Sequence, residues 1–165
     1  MARIEAGGLQ IQKQPNNVRT LIDTALMKLS LLLQEREIRL AVSSDLPEAM
    51  VDAELISLTI RQLVTNAMKY SRPESPIAIR AVLDDGHVRI SVRDAGPGIP
   101  ANELSRIFER YYRALDSRDR VPGTGIGLAV AHDIVKAHGG TIWAESEPGQ
   151  GSEFFFTLPL VERKP

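Results

Sequence analysis

Apolar residues recur at intervals of three and four over three stretches of the chain, namely residues 17–35, 52–70 and 124–138. This spacing predicts amphipathic helices, because residues three and four apart lie on the same face of a helix. Asp52 has a side chain suited to cap the second helix, and the glycine pair at 139–140 is a typical stop for the third. Each helix is therefore expected to bury one face.

Five shorter stretches have the pattern of β-strands, and Asp84, Asp85 and Gly86 between two of them are a hairpin signal. Hairpins imply antiparallel pairing. The order of elements therefore predicts an α/β two-layer sandwich, with a mixed, mostly antiparallel sheet and three main helices on one face. The predicted strands are residues 37–43, 77–83, 88–92, 141–145 and 153–158.

Three further segments complete the prediction. Residues 102–112 are expected to form a short helix, while residues 114–122 are polar and without periodicity, which indicates a mobile loop. Residues 1–14 have the pattern of a helix end that has been cut off, stopped by two glycines and blocked by Pro15. The chain is divided into an N-terminal stub with linker, one domain and a C-terminal tail, at residues 1–14, 15–160 and 161–165.

Composition narrows the class of protein. A chain of 165 residues suffices for one domain, and 43% apolar with 25% charged residues is typical of a globular protein. Twenty basic and 21 acidic residues nearly cancel, which argues against nucleic acid or a membrane surface as a partner. No apolar run could cross a bilayer, and no signal-peptide pattern is present. The lack of cysteine excludes disulfides and thiolate chemistry, and it fits the cytosol.

Gly123, Gly125 and Gly127 directly precede the third predicted helix. Glycine lets a backbone approach a ligand closely, and a helix N-terminus offers unpaired N–H groups that attract phosphate. A tight loop that binds no ligand fits the same pattern equally well. The stretch is not a Walker loop, because no Lys-Ser or Lys-Thr follows, and its glycine spacing differs from the dinucleotide fingerprint.

An earlier stretch, Asp94-Ala95-Gly96-Pro97-Gly98-Ile99, follows directly on a predicted strand. A carboxylate at a strand end can accept a hydrogen bond from an exocyclic amine such as that of adenine, and the two glycines leave room for a flat base. The alternative is an Asx-turn, in which Asp94 bonds its own backbone, and this is the commoner use of Asp before Gly.

The second predicted helix has a polar face, formed by Gln62, Asn66, Lys69 and Tyr70. A polar stripe is usually just a solvated face, but asparagine is a poor residue for the middle of a helix. Its amide oxygen suits Mg²⁺, which takes its other ligands from water and phosphates. Lys69 is on the same face, where it could reach a phosphate.

Arg110 and Arg113 lie on either side of two tyrosines just before the predicted loop, and Arg118 and Arg120 follow within it. Guanidinium groups bind phosphate oxygens and neutralise charge in phosphoryl transfer, whereas surface charge beside packed aromatic residues is the alternative. Three histidines have no metal-ligand spacing and are assigned structural or surface roles: His87, His132 and His138.

Four ordered segments together resemble the boxes of sensor histidine kinases. Residues 65–71 resemble the N box, 94–99 the first G box, 107–113 the F box and 123–128 the second G box. Two closing motifs also match, so the resemblance extends over residues 15–160. Four motifs in order are far more specific than any one alone.

This resemblance implies a Bergerat-type ATP-binding fold. Asp94 would bind the adenine amine, helped by Ser152 through water, while Asn66 would hold Mg²⁺. Gln62 stands where many members carry Asn or Glu, and it is the second metal candidate. Residues 114–127 would form the ATP lid. The residues implied to bind nucleotide are Asn66, Lys69, Tyr70, Asp94, Gly96, Gly98, Ile99, Tyr112, Gly123, Thr124, Gly125, Ile126, Gly127, Leu128 and Ser152, and the catalytic set is Asn66, Lys69, Arg110 and Arg113.

The family transfers phosphate from ATP to a histidine of a separate dimerisation domain, and then to a response regulator. No histidine of this chain has that setting, and residues 1–7 resemble the stub that follows the second dimerisation helix. The chain is therefore predicted to be a histidine kinase catalytic domain without its acceptor. The implied cofactors are ATP and Mg²⁺, and the implied partners are the dimerisation domain and the regulator. A cytoplasmic location is implied, with a parent protein that in this family is typically membrane-attached.

Two alternatives remain open at this point. One is another ATPase of the same superfamily, such as an anti-sigma-factor serine kinase, a gyrase B-type domain or a chaperone ATPase; the arginine-rich F box argues against it. The other is a degenerate nucleotide-binding module that only relays conformation. Gln62 is the single feature of the sequence that favours this alternative.

Overall fold

The computed structural model describes residues 4–5, 8–112 and 125–162. This part of the chain contains three helices and nine strands. The helices are α1 (Val18–Lys28), α2 (Ala53–Tyr70) and α3 (Gly127–Ala137). The strands are β1 (Ile4–Glu5), β2 (Gly8–Leu9), β3 (Gln14–Asn16), β4 (Ile38–Val42), β5 (Ala49–Val51), β6 (Ile77–Asp84), β7 (His87–Asp94), β8 (Ile142–Ser146) and β9 (Ser152–Pro159).

Five strands form the main sheet, in the order β4-β6-β7-β9-β8. β4 runs parallel to β6, whereas the other three pairings are antiparallel, and β6 with β7 forms the predicted hairpin. A parallel pair needs a long crossover connection, which α2 supplies between β4 and β6. The mixed, mostly antiparallel sheet predicted from the sequence is confirmed.

The hydrophobic core lies between one face of this sheet and the helices. Ile90 and Phe156 are opposite each other on β7 and β9, and both are fully buried. Ile60 and Leu63 of α2 are also fully buried, so the apolar stripe of that helix packs into the core. Arg80 lies between buried neighbours along β6 and is exposed, as expected for the opposite face. The predicted two-layer sandwich is therefore confirmed.

Helix boundaries follow capping and burial. The side chains of Asn17 and Asp52 cap α1 and α2, and α2 agrees with its predicted bounds. α1, by contrast, ends at Lys28 instead of about residue 35. Residues 29–33 form turns and a bend in which Leu29 and Leu33 still pack on the core, whereas Leu32, which extends the apolar pattern, is 63% exposed.

The short helix predicted over residues 102–112 is wrong, because this segment consists of turns. The amides of Glu103, Arg106 and Glu109 bond to carbonyl groups three residues earlier, at 2.9, 2.9 and 3.0 Å. Successive tight turns therefore replace the i to i−4 bonds of an α-helix. Tyr111 has φ of 63°, which a right-handed helix does not allow.

α3 starts at Gly127, later than the predicted residue 124, which lies outside the described residues. Gly125 has φ of +72°, and this left-handed conformation keeps the chain out of the helix until after it.

The described part of residues 1–14 is extended and not helical. β1 pairs antiparallel with β2, and β3 pairs antiparallel with β5. The expected helix end is therefore not found among the residues described there. The sequence pattern does not predict β3 or β5, because each has three residues and β3 contains Pro15.

Candidate nucleotide-binding site

One edge of the main sheet brings several predicted site residues together. Because β7 pairs antiparallel with both β6 and β9, its end lies beside their starts. Asp94, the last residue of β7, is opposite Ser152, the first residue of β9. Tyr70, the last residue of α2, reaches the same edge, since its carbonyl oxygen is 2.4 Å from where a Cβ atom on Gly96 would lie. We call this the base edge.

Asp94 is only 4% exposed, and its Oδ1 atom accepts a hydrogen bond of 2.8 Å from the Gly96 amide. This is the Asx-turn that the sequence offers as an alternative to ligand binding. A carboxylate has about four acceptor positions, so the turn leaves capacity for an exocyclic amine. Burial raises the pKa of the Asp94 carboxyl above its usual value, against the opposing effects of the Gly96 and Ser152 amides and the Arg36 guanidinium.

Ser146, at the end of β8, links the loops of the base edge and is missed by the sequence analysis. Its oxygen accepts a hydrogen bond of 2.7 Å from the Ile99 amide, and its hydroxyl donates to the Gly151 carbonyl at 2.9 Å. The Ser152 hydroxyl lies 2.8 Å from it. Ile99 and Ser152, both predicted site residues, are thus held by one side chain. A serine at a strand end has no sequence pattern that would single it out.

The glycines of the base edge are required by backbone packing. A Cβ atom on Gly98, which has φ of +78°, would lie 2.1 Å from the carbonyl oxygen of Glu147. The β8–β9 turn closes over this loop, because the Gly149 amide donates to the Pro97 carbonyl at 2.7 Å. The space that glycine leaves at Gly98 is therefore taken by the protein's own backbone, as is the space at Gly96 by the Tyr70 carbonyl, so the expectation that these glycines leave room for a flat base is wrong.

The polar face of α2 meets the start of α3. A Cβ atom on Gly127 would lie 2.4 Å from Oε1 of Gln62, so this amide packs directly on the first residue of α3. Gln62 and Asn66 are half-buried, and neither side chain has a hydrogen bond within the described part of the chain. Lys69 is exposed on the same helix. We call Gln62, Asn66 and the start of α3 the phosphate end.

α3 begins without a side-chain cap. Ile126 is the N-cap residue, and its side chain makes no capping hydrogen bond. Ile126 therefore gives the first amides of the helix no side-chain acceptor, and together with the helix dipole such amides favour an anion. Gly125, Ile126, Gly127 and Leu128 are all half-buried, which keeps this helix start outside the sealed core.

The side chains at the phosphate end fit a Mg²⁺ ion that arrives with a polyphosphate. Within residues 4–5, 8–112 and 125–162, no group of three or more His, Cys, Asp or Glu could hold a metal ion. Asn66 and Gln62 offer uncharged amide oxygens in unpaired positions. Mg²⁺ prefers oxygen ligands and commonly takes most of them from phosphates and water.

Two predicted F-box residues have partners within the fold. Arg110 Nη2 lies 3.0 Å from Asp133 Oδ2 of α3, in a pair whose side chains are 64% and 41% exposed. Tyr112 donates its hydroxyl hydrogen to Glu103 at 2.7 Å, and the Arg106 guanidinium lies 4.6 Å from its ring centre. Exposed ion pairs are weak, so Arg110 can exchange Asp133 for a phosphate at small cost.

Three predicted residues, Arg113, Gly123 and Thr124, lie outside the described residues, as does the predicted loop 114–122. The described residues on either side are in contact, since the Tyr111 amide donates to the Gly125 carbonyl at 2.9 Å.

His138 is buried, as its assigned structural role requires. Its Nδ1 atom donates to the Ile134 carbonyl at 2.7 Å, and its Nε2 atom accepts from the Asp52 amide at 3.0 Å. This pattern belongs to a neutral ring, and burial lowers the pKa of His138 below its usual value. His138 therefore joins the end of α3 to the start of α2.

Comparison with known proteins identifies the family of the chain. The family model described as histidine kinase-, DNA gyrase B- and HSP90-like ATPase matches residues 51–162. Adaptive-response sensory kinase SasA of Parasynechococcus marenigrum (strain WH8102) is 41% identical over 125 residues, 75% of this chain and 33% of that protein. Sensor histidine kinase MtrB of Mycobacterium leprae (strain TN) is 35% identical over 164 residues, 98% of this chain and 29% of that protein. In the crystal structure of full-length ShkA in complex with AMPPNP, 34% of that chain matches 97% of this one, with a TM-score of 0.82 and 29% identity.

The fold is a two-layer α/β domain, and the family match places it in the ATPase class. The chain belongs to the histidine kinase-, DNA gyrase B- and HSP90-like ATPase family and is homologous to the catalytic domains of sensor histidine kinases. It spans about a third of the length of the curated relatives named above. Across the described residues, no helix is both long and apolar enough to pass through a membrane.

Proposed function

We propose that this chain is the part of a sensor histidine kinase that binds Mg-ATP and donates the γ-phosphate to a histidine on a dimerisation domain. The observation that carries the proposal is the placement of two unlike sites along α2. Tyr70 ends the helix at the base edge, and Asn66 lies one turn earlier at the phosphate end, about 6 Å along the axis at 1.5 Å per residue. One nucleotide can therefore engage both.

At the base edge, Asp94 accepts a hydrogen bond from the exocyclic amine of adenine. Ser152, opposite Asp94 in the sheet and only 7% exposed, assists through water. Tyr70, Ile99 and the backbone of the two glycines line the base site, while the side-chain positions of both glycines are filled by the protein's own backbone. A buried acceptor discriminates well, because a base without the matching donor leaves the carboxylate unpaired.

At the phosphate end, the amides that open α3 bind the phosphates, with Lys69 and residues 123–128 around them. Asn66 and Gln62 hold Mg²⁺ through their amide oxygens, and the ion supplies charge neutralisation for phosphoryl transfer when it is bound. Tyr112 contributes to the nucleotide surface.

Arg110 and Arg113 neutralise the γ-phosphate during transfer. The exposed pair with Asp133 keeps the Arg110 side chain beside α3, from where it can turn to the nucleotide. Asn66 and Lys69 complete the catalytic set.

The partners follow from this reaction. The phosphate acceptor is a histidine-containing dimerisation domain of the same kinase, for which residues 1–14 form the connecting stub, and the pathway continues to a response regulator. Residues 15–160 are the nucleotide-binding unit, and 161–165 form a tail. We propose a cytoplasmic location, with neither nucleic acid nor a direct membrane contact for this part of the protein.

The test uses the chain with γ-labelled ATP and a separately supplied dimerisation domain. The expected result is acid-labile, alkali-stable label on the histidine of that domain. Label on serine would favour the serine kinases of the superfamily. Nucleotide binding without transfer would favour a module that only relays conformation. That alternative is supported only by Gln62, which replaces the usual metal ligand. If a Gln62→Asn variant then gained phosphate transfer, the defect would lie at Gln62.

A further inference from the structure

Arg36 lies beside the base edge, although no sequence motif includes it. It stands two residues before β4, whose first residue, Ile38, is opposite the first residue of β6. The carbonyl of its neighbour Glu37 accepts from the Ile77 amide at 3.0 Å. Because the start of β6 is next to the end of β7, Arg36 enters the structure at the same sheet edge as Asp94.

The guanidinium of Arg36 is bonded to the end of α2. Its Nη2 atom donates to the hydroxyl oxygen of Ser71, and that hydroxyl in turn donates to the Ala67 carbonyl at 2.5 Å. Ser71 is the C-cap residue of α2 and directly follows Tyr70, whose carbonyl backs Gly96. Arg36 therefore fixes the helix end that forms one wall of the base edge.

The same side chain carries an unsatisfied group. Its Nε atom is buried and has no hydrogen-bond partner among the residues described. A buried unpaired donor costs about 1–3 kcal/mol of stability, so a shorter apolar side chain would serve packing better. This cost indicates a role for the positive charge itself.

We propose that Arg36 is a positioning residue for the base end of the nucleotide site: its guanidinium holds the end of α2 through Ser71 and places a positive charge at the sheet edge where Asp94 lies. The inference rests on the proposed nucleotide function. Arg36 lies outside the family boxes, so it would be an additional residue on which adenine selection depends. Base recognition is then expected to depend on the Arg36 charge without direct contact between Arg36 and the ligand.

The electrostatic part of the proposal follows from burial. Desolvation raises the pKa of Asp94, and Arg36 is the side-chain charge that opposes it, alongside the Gly96 and Ser152 amides. Four other charged side chains on the adjoining elements are exposed to solvent, which screens them; they are Lys69, Arg72, Arg93 and Glu147. Glu153 of β9 is half-buried, but it is paired with Arg93 on the opposite face of the sheet from Asp94 and accepts a hydrogen bond from Ser91. Removing the Arg36 charge is therefore expected to raise the Asp94 pKa further, so that adenine binding weakens at a higher pH than in wild type as the pH is lowered.

The experiment measures Mg-ADP affinity from pH 5.5 to 8.5 for wild type, Arg36→Met, Arg36→Lys and Ser71→Ala. As the pH is lowered, Arg36→Met is expected to lose affinity at a higher pH than wild type does, and to recover as pH rises, because the Arg36 charge opposes protonation of Asp94. Arg36→Lys keeps the charge, and Ser71→Ala removes only the hydrogen bond, so both should retain the wild-type pH profile with smaller losses. Arg36→Gln provides the uncharged variant if Arg36→Met does not fold.

A second readout needs no nucleotide. The carboxyl carbon of Asp94, followed by NMR during a pH titration, should report a higher pKa in the uncharged Arg36 variants than in wild type or Ser71→Ala. An unchanged Asp94 pKa, or an affinity loss that is uniform across pH, would overturn the inference. If wild type binds Mg-ADP no better than Asp94→Asn does, the proposed base site fails first, and the NMR titration still decides the effect of Arg36 on Asp94.

Discussion

The base edge and the phosphate end of the candidate site differ in how far the protein satisfies its own polar groups. At the base edge, Asp94, Ser146 and Ser152 are buried or half-buried and bonded within the fold. At the phosphate end, Asn66 and Gln62 have no hydrogen bond in the described chain, and α3 starts without a side-chain cap. The base edge is therefore preformed, whereas the phosphate end has unsatisfied groups that a Mg-polyphosphate would complete.

The largest expected effect tests the rigidity of the base edge. Gly98→Ala places a Cβ atom 2.1 Å from the Glu147 carbonyl oxygen at a residue with φ of +78°, so the two loops must separate. We expect a loss of about 3 kcal/mol in the free energy of unfolding, measured by urea denaturation. Gly149→Ala is the matched control in the same region, because its φ is +82° but a Cβ atom would meet nothing within 4 Å. It should cost only about 1–2 kcal/mol. Equal losses would show that the loop packing is not tight.

The next largest effect tests whether the polar side chains of the phosphate end serve the ligand and not the fold. Asn66→Ala removes an amide oxygen that the fold does not use, so stability should be unchanged or slightly higher, since Ala favours helix by about 0.5 kcal/mol. Mg-ATP affinity, measured by calorimetry, should fall about tenfold, equivalent to ~1.4 kcal/mol. With EDTA present, wild type and variant should bind nucleotide alike. A loss of stability would mean that Asn66 is structural.

Asp94→Asn tests whether the charged acceptor at the base edge binds adenine. Asn keeps an oxygen that can accept from the Gly96 amide, so the turn should survive while adenine affinity falls about tenfold through the lost charged hydrogen bond. Because the Asp94 pKa is raised, its proton is held more tightly in the folded state, and ionisation at neutral pH destabilises the fold. The variant should therefore be no less stable than wild type at pH 7.

The pH dependence of binding is a second test of Asp94 as the acceptor for the base. Wild-type affinity for ADP should drop as pH falls through the raised Asp94 pKa, since a protonated carboxyl loses acceptor strength. The Asp94→Asn profile should be flat over that range. Parallel profiles would place the base elsewhere.

The smallest effect lies away from both ends of the site. His138 is neutral in the fold and its pKa is lowered, so the unfolded chain binds more protons between the folded pKa and about 6.5. Stability should therefore fall as pH decreases through that window, by at most about 1.4 kcal/mol per pH unit. His138→Gln should flatten this part of the curve measured by urea denaturation. An unchanged slope would assign the pH dependence to other groups.

Local patterns predict the features that local chemistry determines. The α2 bounds follow from the Asp52 cap, and the Asp94 position follows from a strand that ends before glycine. The central role of Ser146 does not, because its partners Ile99 and Gly151 are brought to it only by the sheet. The turns at residues 101–111 likewise depend on long-range contacts such as that between Tyr111 and Gly125.

Arg110 shows the same limit at the phosphate end. The sequence indicates a phosphate-binding arginine, but the Asp133 partner lies 23 positions away on α3 and follows no motif. Residue type therefore predicts what a side chain can bind, while the fold determines which partner it has before the ligand arrives.

We propose that one Mg-nucleotide contacts both the preformed base edge and the open phosphate end. The most direct measurement is the melting temperature of the chain with and without a Mg-bound, non-hydrolysable ATP analogue. At 100 times the dissociation constant, binding adds about 2.7 kcal/mol, which corresponds to a rise of roughly 5–10 °C for a domain of this size. The rise should shrink in both Asp94→Asn and Asn66→Ala. No shift at millimolar analogue, or a shift that both variants retain in full, would contradict the account.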